Sequence, residues 1–527
     1  MALIDVSNLT FAYEGSYDNI FEDVSFQIDT DWKLGFTGRN GKGKTTFLNL
    51  LLASERSELQ LLSSEYLCLP QGGLCPTERN EIKYEYTGKI SASVQFQYFP
   101  YAVPDRTIPM AAVIEQICPS YQDWELLREL SLLEVNDDVL TRPFATLSNG
   151  EQTKVMLAAL FLDDGKFLLI DEPTNHLDMK GREIVSKYLN GKSGFIVVSH
   201  DRAFLDGCVT HILSINKANI EIQRGNFSVW WDNKKRQDSF ELAENEKLQK
   251  DIKRLKQAAK QSSDWADKVE STKIGKGGAS IEKSMDKRAY IGEKSRRMQQ
   301  RRKNLERRQQ NAIDEKSHLL KNLDHASSLK ITQLSYHKQR YLALSDVGIS
   351  YGSKLVCENI SFDIQRGDRV ALHGKNGSGK SSILKLICRN IPQNMSFSGE
   401  LAIGSGLQIS YVSQDTSFLS GSLTDYARQN SIDESLFKAI LRKLDFPRVQ
   451  FEKDMRDFSG GQKKKVLIAK SLCEKSHLLV WDEPLNFVDV LSRMQIEELL
   501  LEYKPTILFV EHDSVFCDRI STKRVDL

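Results

Sequence analysis

Long apolar runs are missing from these 527 residues: none approaches the roughly 18 residues needed to cross a bilayer as a helix. That excludes a helical membrane domain from the sequence. The opening residues, Met1-Ala2-Leu3-Ile4-Asp5-Val6, read as a strand without a basic region or a cleavage site, so no signal peptide is expected. Metal-ligand cysteine spacing is missing too. Cys68, Cys75, Cys118, Cys208, Cys357, Cys388, Cys473 and Cys517 are scattered, as reduced thiols of a cytoplasmic protein would be. Net charge is nearly absent at +1, although 27% of residues are charged and 40% are hydrophobic. Such a chain has room for two or three domains with cores of their own.

The small net charge conceals an uneven distribution. Residues 234–330 carry 26 Lys and Arg against 15 Asp and Glu. That is a surplus of about eleven positive charges, which leaves the flanks together near −10 and points to a polyanionic partner. Leu248, Ile252 and Leu255 fall on one helical stripe, and Met298, Leu305, Ala312 and Leu319 recur every seven residues. Between these stretches, residues 272–286 hold Gly275, Gly277 and Gly278. The pattern predicts two long antiparallel helices joined by a tip. Charge runs are usually solvated faces, and a coiled-coil spacer would need nothing more. The cluster Arg296, Arg297, Arg301, Arg302, Lys303, Arg307 and Arg308 exceeds what solubility requires, and these are the candidate contacts to the polyanion.

On either side of the arm the same chemistry occurs twice. A short strand at 33–37 runs into Gly38-Arg39-Asn40-Gly41-Lys42-Gly43-Lys44-Thr45-Thr46 and then a helical run at 47–52. The strand at 369–373 runs likewise into Gly374-Lys375-Asn376-Gly377-Ser378-Gly379-Lys380-Ser381-Ser382. Glycines let backbone N–H groups face phosphate oxygens, and the helix N-terminus adds its dipole. Lys44 and Lys380 supply point charges, and the hydroxyls of Thr45 and Ser381 suit Mg²⁺. Each copy also has an apolar strand ending in a carboxylate pair, Asp171-Glu172 and Asp482-Glu483. The aspartates suit the Mg²⁺ shell, and the glutamates suit polarising an attacking water. Small-residue turns, Ser148-Asn149-Gly150 and Ser459-Gly460-Gly461, open helices, and histidines follow later strands at His200 and His512.

With these motifs in hand, the chain resembles ABC ATPases over essentially its whole length. The order is Walker A, signature turn, Walker B with catalytic glutamate, D-loop and switch histidine, each twice. The resemblance implies an α/β fold, with two P-loop ATPase domains joined by a long antiparallel helical linker. The expected domains are 1–232 with an insertion near 54–83, the linker 233–332, and 333–527. ATP and Mg²⁺ are the implied cofactors. Glu172, Glu483, His200 and His512 become catalytic candidates. Tyr13 and Tyr351 become adenine-stacking candidates, and Asp178 and Asp489 would lie in D-loops. The sites would be composite, with each Walker A facing Ser148 and Gly150, or Ser459, Gly460 and Gly461, of the opposite cassette. In the glutamine loop, Gln414 would join the metal shell. In the first cassette Tyr101, 47 residues before Ser148, matches Gln414, 45 before Ser459, better than Gln71 does at 77. Asn149 replaces a signature glycine, Phe458 replaces a leucine, and the second D-loop reads Asn486-Phe487-Val488-Asp489, so two unequal sites are expected.

Two cassettes on one chain with a basic linker resemble the ABC-F proteins, which act on ribosomes. The long tip, no room for an added arm and an end fifteen residues after His512 resemble the antibiotic-resistance branch. That resemblance implies a cytoplasmic monomer with two intramolecular ATP sites, its partners being the 70S ribosome with its 23S rRNA and P-site tRNA. The linker tip would extend from the tRNA exit site towards the peptidyl-transferase centre and displace drug. A housekeeping translation factor is the alternative, and an ATPase component of a membrane transporter is a third.

Overall fold

The structure is a computed structural model that describes residues 2–13, 19–55, 84–163, 165–175, 177–216, 219–271, 300, 307, 333–446 and 448–527. The chain divides into two compact units, Met1–Trp230 with Ser328–Leu527, and Trp231–Ser327.

The first cassette opens with β1 (Leu3–Tyr13), β2 (Phe21–Asp29) and β3 (Lys33–Thr37), followed by α1 (Lys44–Glu55), β4 (Tyr84–Ala92) and β5 (Gln95–Phe99). Helices α2 (Met110–Ile117), α3 (Asp123–Leu132) and α4 (Asn149–Leu160) lead to β6 (Lys166–Asp171), α5 (Met179–Asn190), β7 (Phe195–Val198) and α6 (Arg202–Cys208). Strands β8 (His211–Asn216) and β9 (Asn219–Arg224) close it. β1 runs well beyond the strand expected at the opening residues, which ends at Val6, and β2 lies beside it. They pair antiparallel, with irregular register after Val6 and again after Leu9 that breaks the alternation a sequence reading depends on.

One sheet has the order β2-β1-β4 and the other β5-β6-β7-β3-β8-β9, parallel except for the last pair. Every residue of β7, Phe195-Ile196-Val197-Val198, is buried, as a parallel strand covered on both faces must be. Phe11, Phe21, Phe36 and Phe47 interlock between the two sheets and α1, which fixes where the loop before α1 emerges.

The helix α7 (Phe227–Ser271) follows. Within it Asn245 is buried and Leu248 and Ile252 are half-buried among exposed neighbours, a one-sided stripe at helical spacing. The expected tip, the side chain of Leu255 and most of the heptad stretch fall outside the described residues, as does nearly all of the 54–83 insertion.

The second cassette repeats the plan with β10 (Arg340–Tyr351), β11 (Lys354–Gln365), β12 (Arg369–His373), α8 (Lys380–Ile387), β13 (Met395–Ile403) and β14 (Ile409–Val412). Then come α9 (Leu423–Gln429), α10 (Glu434–Lys443), α11 (Gly460–Cys473), β15 (Leu478–Asp482), α12 (Val490–Tyr503), β16 (Ile507–Val510), α13 (Ser514–Ile520) and β17 (Lys523–Asp526). Its sheets are β11-β10-β13, antiparallel, and β14-β15-β16-β12-β17, parallel. The buried Trp481 anchors this core, with its indole N–H donated to Ser471 Oγ at 2.9 Å. In both cassettes the motif residues emerge at the carboxyl ends of the parallel strands, where open α/β sheets bind ligands.

Candidate functional site: paired phosphate loops

Between β3 and α1 the chain turns through Gly38, Gly41 and Gly43 at φ of 152°, 77° and 89°, and Gly374, Gly377 and Gly379 repeat the turn at 154°, 83° and 95°. A Cβ at Gly43 would lie 2.3 Å from Ile20 Cγ2, and one at Gly379 3.0 Å from Cys357 Sγ. Backbone conformation and space both exclude a side chain there. Lys44 Nζ donates to the carbonyls of Gly38 (2.8 Å) and Arg39 (3.2 Å), and Lys380 Nζ to those of Gly374 (2.7 Å) and Lys375 (2.8 Å). Burial lowers the pKa of both ammonium groups. Asp489, of the opposite cassette, opposes that shift at Lys44, and Asp178 opposes it at Lys380.

Thr45 Oγ1 donates to Asp171 Oδ2 at 3.0 Å, and Ser381 Oγ to Asp482 Oδ1 at 3.0 Å. A hydroxyl and a carboxylate held together are hard oxygen donors that fit Mg²⁺ completing its shell with nucleotide phosphates and water. Among the described residues there is no group of three or more His, Cys, Asp or Glu that could hold a metal without such a substrate. Burial raises the Asp171 carboxyl and pushes Asp482 up to about 6. Sequence reading missed Tyr98 and Tyr411, whose hydroxyls reach these aspartates at 3.0 and 3.5 Å. Their signal was available: a tyrosine stands three residues before Tyr101 and before Gln414.

The glutamates follow in left-handed backbone, Glu172 at φ 51° and Glu483 at 47°. Each costs on the order of 1–3 kcal/mol, a cost typical of residues held for function. Burial and the neighbouring Asp171 push Glu172 up to about 8, and neither of its buried oxygens has a hydrogen-bond partner. His200 Nε2 lies 3.3 Å from Glu172 Oε1 and 3.0 Å from Asn40 Oδ1. Burial, reinforced by Lys44 and Arg493, keeps that imidazole neutral. Glu483 differs. Burial would raise it, but contact with His512 (Nε2–Oε1 3.6 Å), the Lys464 charge and the Asn486 hydrogen bond together lower it. Asn486 Nδ2 donates to its Oε2 at 2.5 Å and Gln414 Nε2 at 2.9 Å.

Strand register locates the counterpart of Gln414. Tyr98 pairs with Leu169 and Tyr411 with Val480, each two residues before the carboxylate aspartate. Tyr101 therefore stands where Gln414 stands, with Phe99–Pro100 as a cis bond just before it. Gln71 lies outside the described residues.

Ser148 and Ser459 cap α4 and α11 through complete capping boxes with Glu151 and Gln462. Across the interface Asn40 Nδ2 donates to the carbonyl of Phe487 at 2.6 Å, and Arg39 pairs with Asp445. A Cβ at Gly461 would lie 2.7 Å from Asn40 Nδ2, so the second signature turn meets the first phosphate loop. Tyr13 and Tyr351 extend from β1 and β10 onto the loops, with Oη at 2.8 Å from Thr46 Oγ1 and 3.1 Å from Ser382 Oγ. Of the candidate RNA-binding residues only Arg307 is described, as helical; Arg296, Arg297, Arg301, Arg302, Lys303 and Arg308 are not.

Fold and site define a tandem P-loop ATPase, with two phosphate cradles, two hydroxyl–carboxylate pairs and two strand-end glutamates beside histidines. Residues 21–175 and 357–486, more than half the chain, match the model of the ABC transporter family, to which the chain belongs. It binds and hydrolyses ATP. No helix among the described residues is long and apolar enough to cross a membrane.

The chain is 26% identical over 530 residues to the ribosome protection protein VmlR of Bacillus subtilis (strain 168), covering 99% of this chain and 86% of that protein. It is 25% identical to the energy-dependent translational throttle protein EttA of Escherichia coli O6:H1, over 96% of this chain and 89% of that one. ABC transporter F family member 2 of Arabidopsis thaliana is 24% identical, over 99% and 76%. Among solved structures, the archaeal ribosome recycling factor aABCE1, in complex with a ribosomal stalk protein, superposes with a TM-score of 0.58 at 16% identity. That match covers 96% of this chain and 84% of that one, and shows the tandem-cassette fold.

Proposed function

We propose that the chain is an ABC-F ATPase that binds the ribosome in its ATP state and protects it from antibiotics. The observation that carries this reading is likeness to a named ribosome protection protein along 99% of the chain, the basic arm included. In this reading ATP closes the cassettes, and the protein docks in the cytoplasm near the tRNA exit site of the 70S particle. Arg296, Arg297, Arg301, Arg302, Lys303, Arg307 and Arg308 contact rRNA phosphates. The tip at 272–286 extends past P-site tRNA towards the peptidyl-transferase centre and displaces lincosamide, pleuromutilin or streptogramin A drugs.

The chain's own groups supply the release step. Lys44 and Lys380 hold the phosphates, Glu172 and Glu483 polarise water, and His200 and His512 face the γ-phosphate. Bound Mg²⁺, held at Thr45–Asp171 and Ser381–Asp482, would neutralise developing charge on the phosphates. Coupled in-vitro translation with a titrated lincosamide or pleuromutilin tests the reading. Added protein and ATP should raise the inhibitory drug concentration several-fold, and deletion of residues 272–286 should abolish the gain. A housekeeping role, favoured by the similarity to EttA, is the correct one if translation of stalling messages improves while drug inhibition is unmoved.

A further inference from the structure

The two cassettes meet through buried charges that the repeat does not explain. Arg202, the first residue of α6, crosses to the second cassette and forms a bidentate pair with Glu497 on α12. Nη1 lies 3.2 Å from Oε2, and Nη2 contacts Oε1. Arg202 Nη2 also stands 3.6 Å from Asp513 Oδ1. Within the second cassette Arg519 Nη1 donates to Glu497 Oε2 at 2.8 Å. Glu497 and Asp513 are fully buried, and Arg202 is nearly so.

Counting from matched motif residues shows that this arrangement exists once. From His200 and His512, Arg202 corresponds to Ser514 and Gly207 to Arg519; from Asp178 and Asp489, Ser186 corresponds to Glu497. Where one side has Arg, Glu and Arg, the other has Ser, Ser and Gly. Ser186 Oγ instead donates to the Phe204 carbonyl at 3.0 Å, and a Cβ on Gly207 would lie 2.3 Å from it. Ser186, Gly207 and Ser514 offer neither a guanidinium nor a carboxylate from which a second copy could form.

The location matters because α6 begins two residues after His200. Asp201 caps α6 through Phe204 N–H at 3.0 Å and accepts from Arg182 Nη1 at 2.8 Å. The same Arg182 nitrogen reaches the His512 carbonyl at 3.2 Å. Anchoring Arg202 on the opposite cassette thereby fixes the segment that presents His200 to Asn40 and Glu172. A buried pair with both carboxylate oxygens engaged specifies one arrangement, and removing one partner leaves the other buried and unmatched. We propose that Arg202 and Glu497 form a one-sided pin between the cassettes and are positioning residues for His200 in the first ATP site.

The test combines Arg202→Met, Glu497→Gln and the double substitution in the full chain, with hydrogen exchange and steady-state ATPase kinetics as readouts. Glu497→Gln should speed amide exchange in residues 202–208, across the interface from the change, while 340–365 stays protected. In a Glu483→Gln background, where the first site turns over, kcat should fall about tenfold with KM for ATP within about threefold. In a Glu172→Gln background it should hardly change. The double substitution should be no worse than either single one, the signature of a shared pair. Unchanged exchange in 202–208, additive losses or equal losses in both backgrounds would overturn the proposal. Arg202→Lys keeps the buried charge and stands in if Arg202→Met does not fold. With it, an intermediate loss confined to the first site supports the pin, and native exchange and kinetics contradict it.

Discussion

Glu172 and Glu483, the proposed general bases, hold the same place in the two cassettes but stand in different surroundings. Glu172 is buried without a hydrogen-bond donor and sits at about 8, while Gln414 and Asn486 both donate to Glu483, which is lowered. A general base works only when ionised, so its activity rises as pH passes upward through its pKa. With Glu483→Gln leaving the first site active, ATPase rate should climb by roughly five- to tenfold between pH 7 and pH 9. With Glu172→Gln leaving the second site, the profile should be nearly flat over that window, because Glu483 is already ionised. Parallel profiles would contradict this difference. Tyr101 stands in the place of Gln414, so Tyr101→Gln should give Glu172 an amide donor. Its rise should then move to lower pH by about one unit, read from the same profiles in the Glu483→Gln chain.

The phosphate loops show how far an element depends on a single atom. Gly43→Ala adds one methyl to a residue at φ 89° and places it 2.3 Å from Ile20 Cγ2. ATP binding at the first loop should weaken at least about tenfold, measured by titration of a fluorescent nucleotide in a chain whose second loop carries Lys380→Ala. Unaltered affinity would mean that the loop adjusts at no cost. Such loops were legible in the sequence because strand, glycines, lysine and helix are contiguous, and each cassette confirms the other. Arg182 on Asp201 and Asn40 on Phe487 were not legible, since their partners lie 19 and 447 residues away. Tyr101 was placed by spacing alone, and strand register now aligns it with Gln414. The strand at the opening residues is expected to end at Val6 because the register irregularities of β1 after Val6 and Leu9 disturb period-two alternation.

At the scale of the molecule, one chain carries two ATP sites made unequal by Tyr101 against Gln414 and joined by a pin present on one side only. In sequence the two cassettes are separated by a stretch whose surplus of about eleven positive charges the rest of the chain nearly cancels. If that stretch contacts rRNA, binding must weaken steeply with salt, because each neutralised phosphate releases counterions. Replacing Arg296, Arg297, Arg301, Arg302, Lys303, Arg307 and Arg308 by Gln should lower both affinity and its salt slope, with ATPase activity in the free chain unchanged. The most direct measurement is cosedimentation of the Glu172→Gln/Glu483→Gln chain with 70S ribosomes, with and without ATP, at two salt concentrations. Retention that needs ATP and falls off at higher salt is the result this account predicts. No retention at low salt with ATP present would contradict ribosome binding and leave an active tandem ATPase whose polyanionic partner is something else.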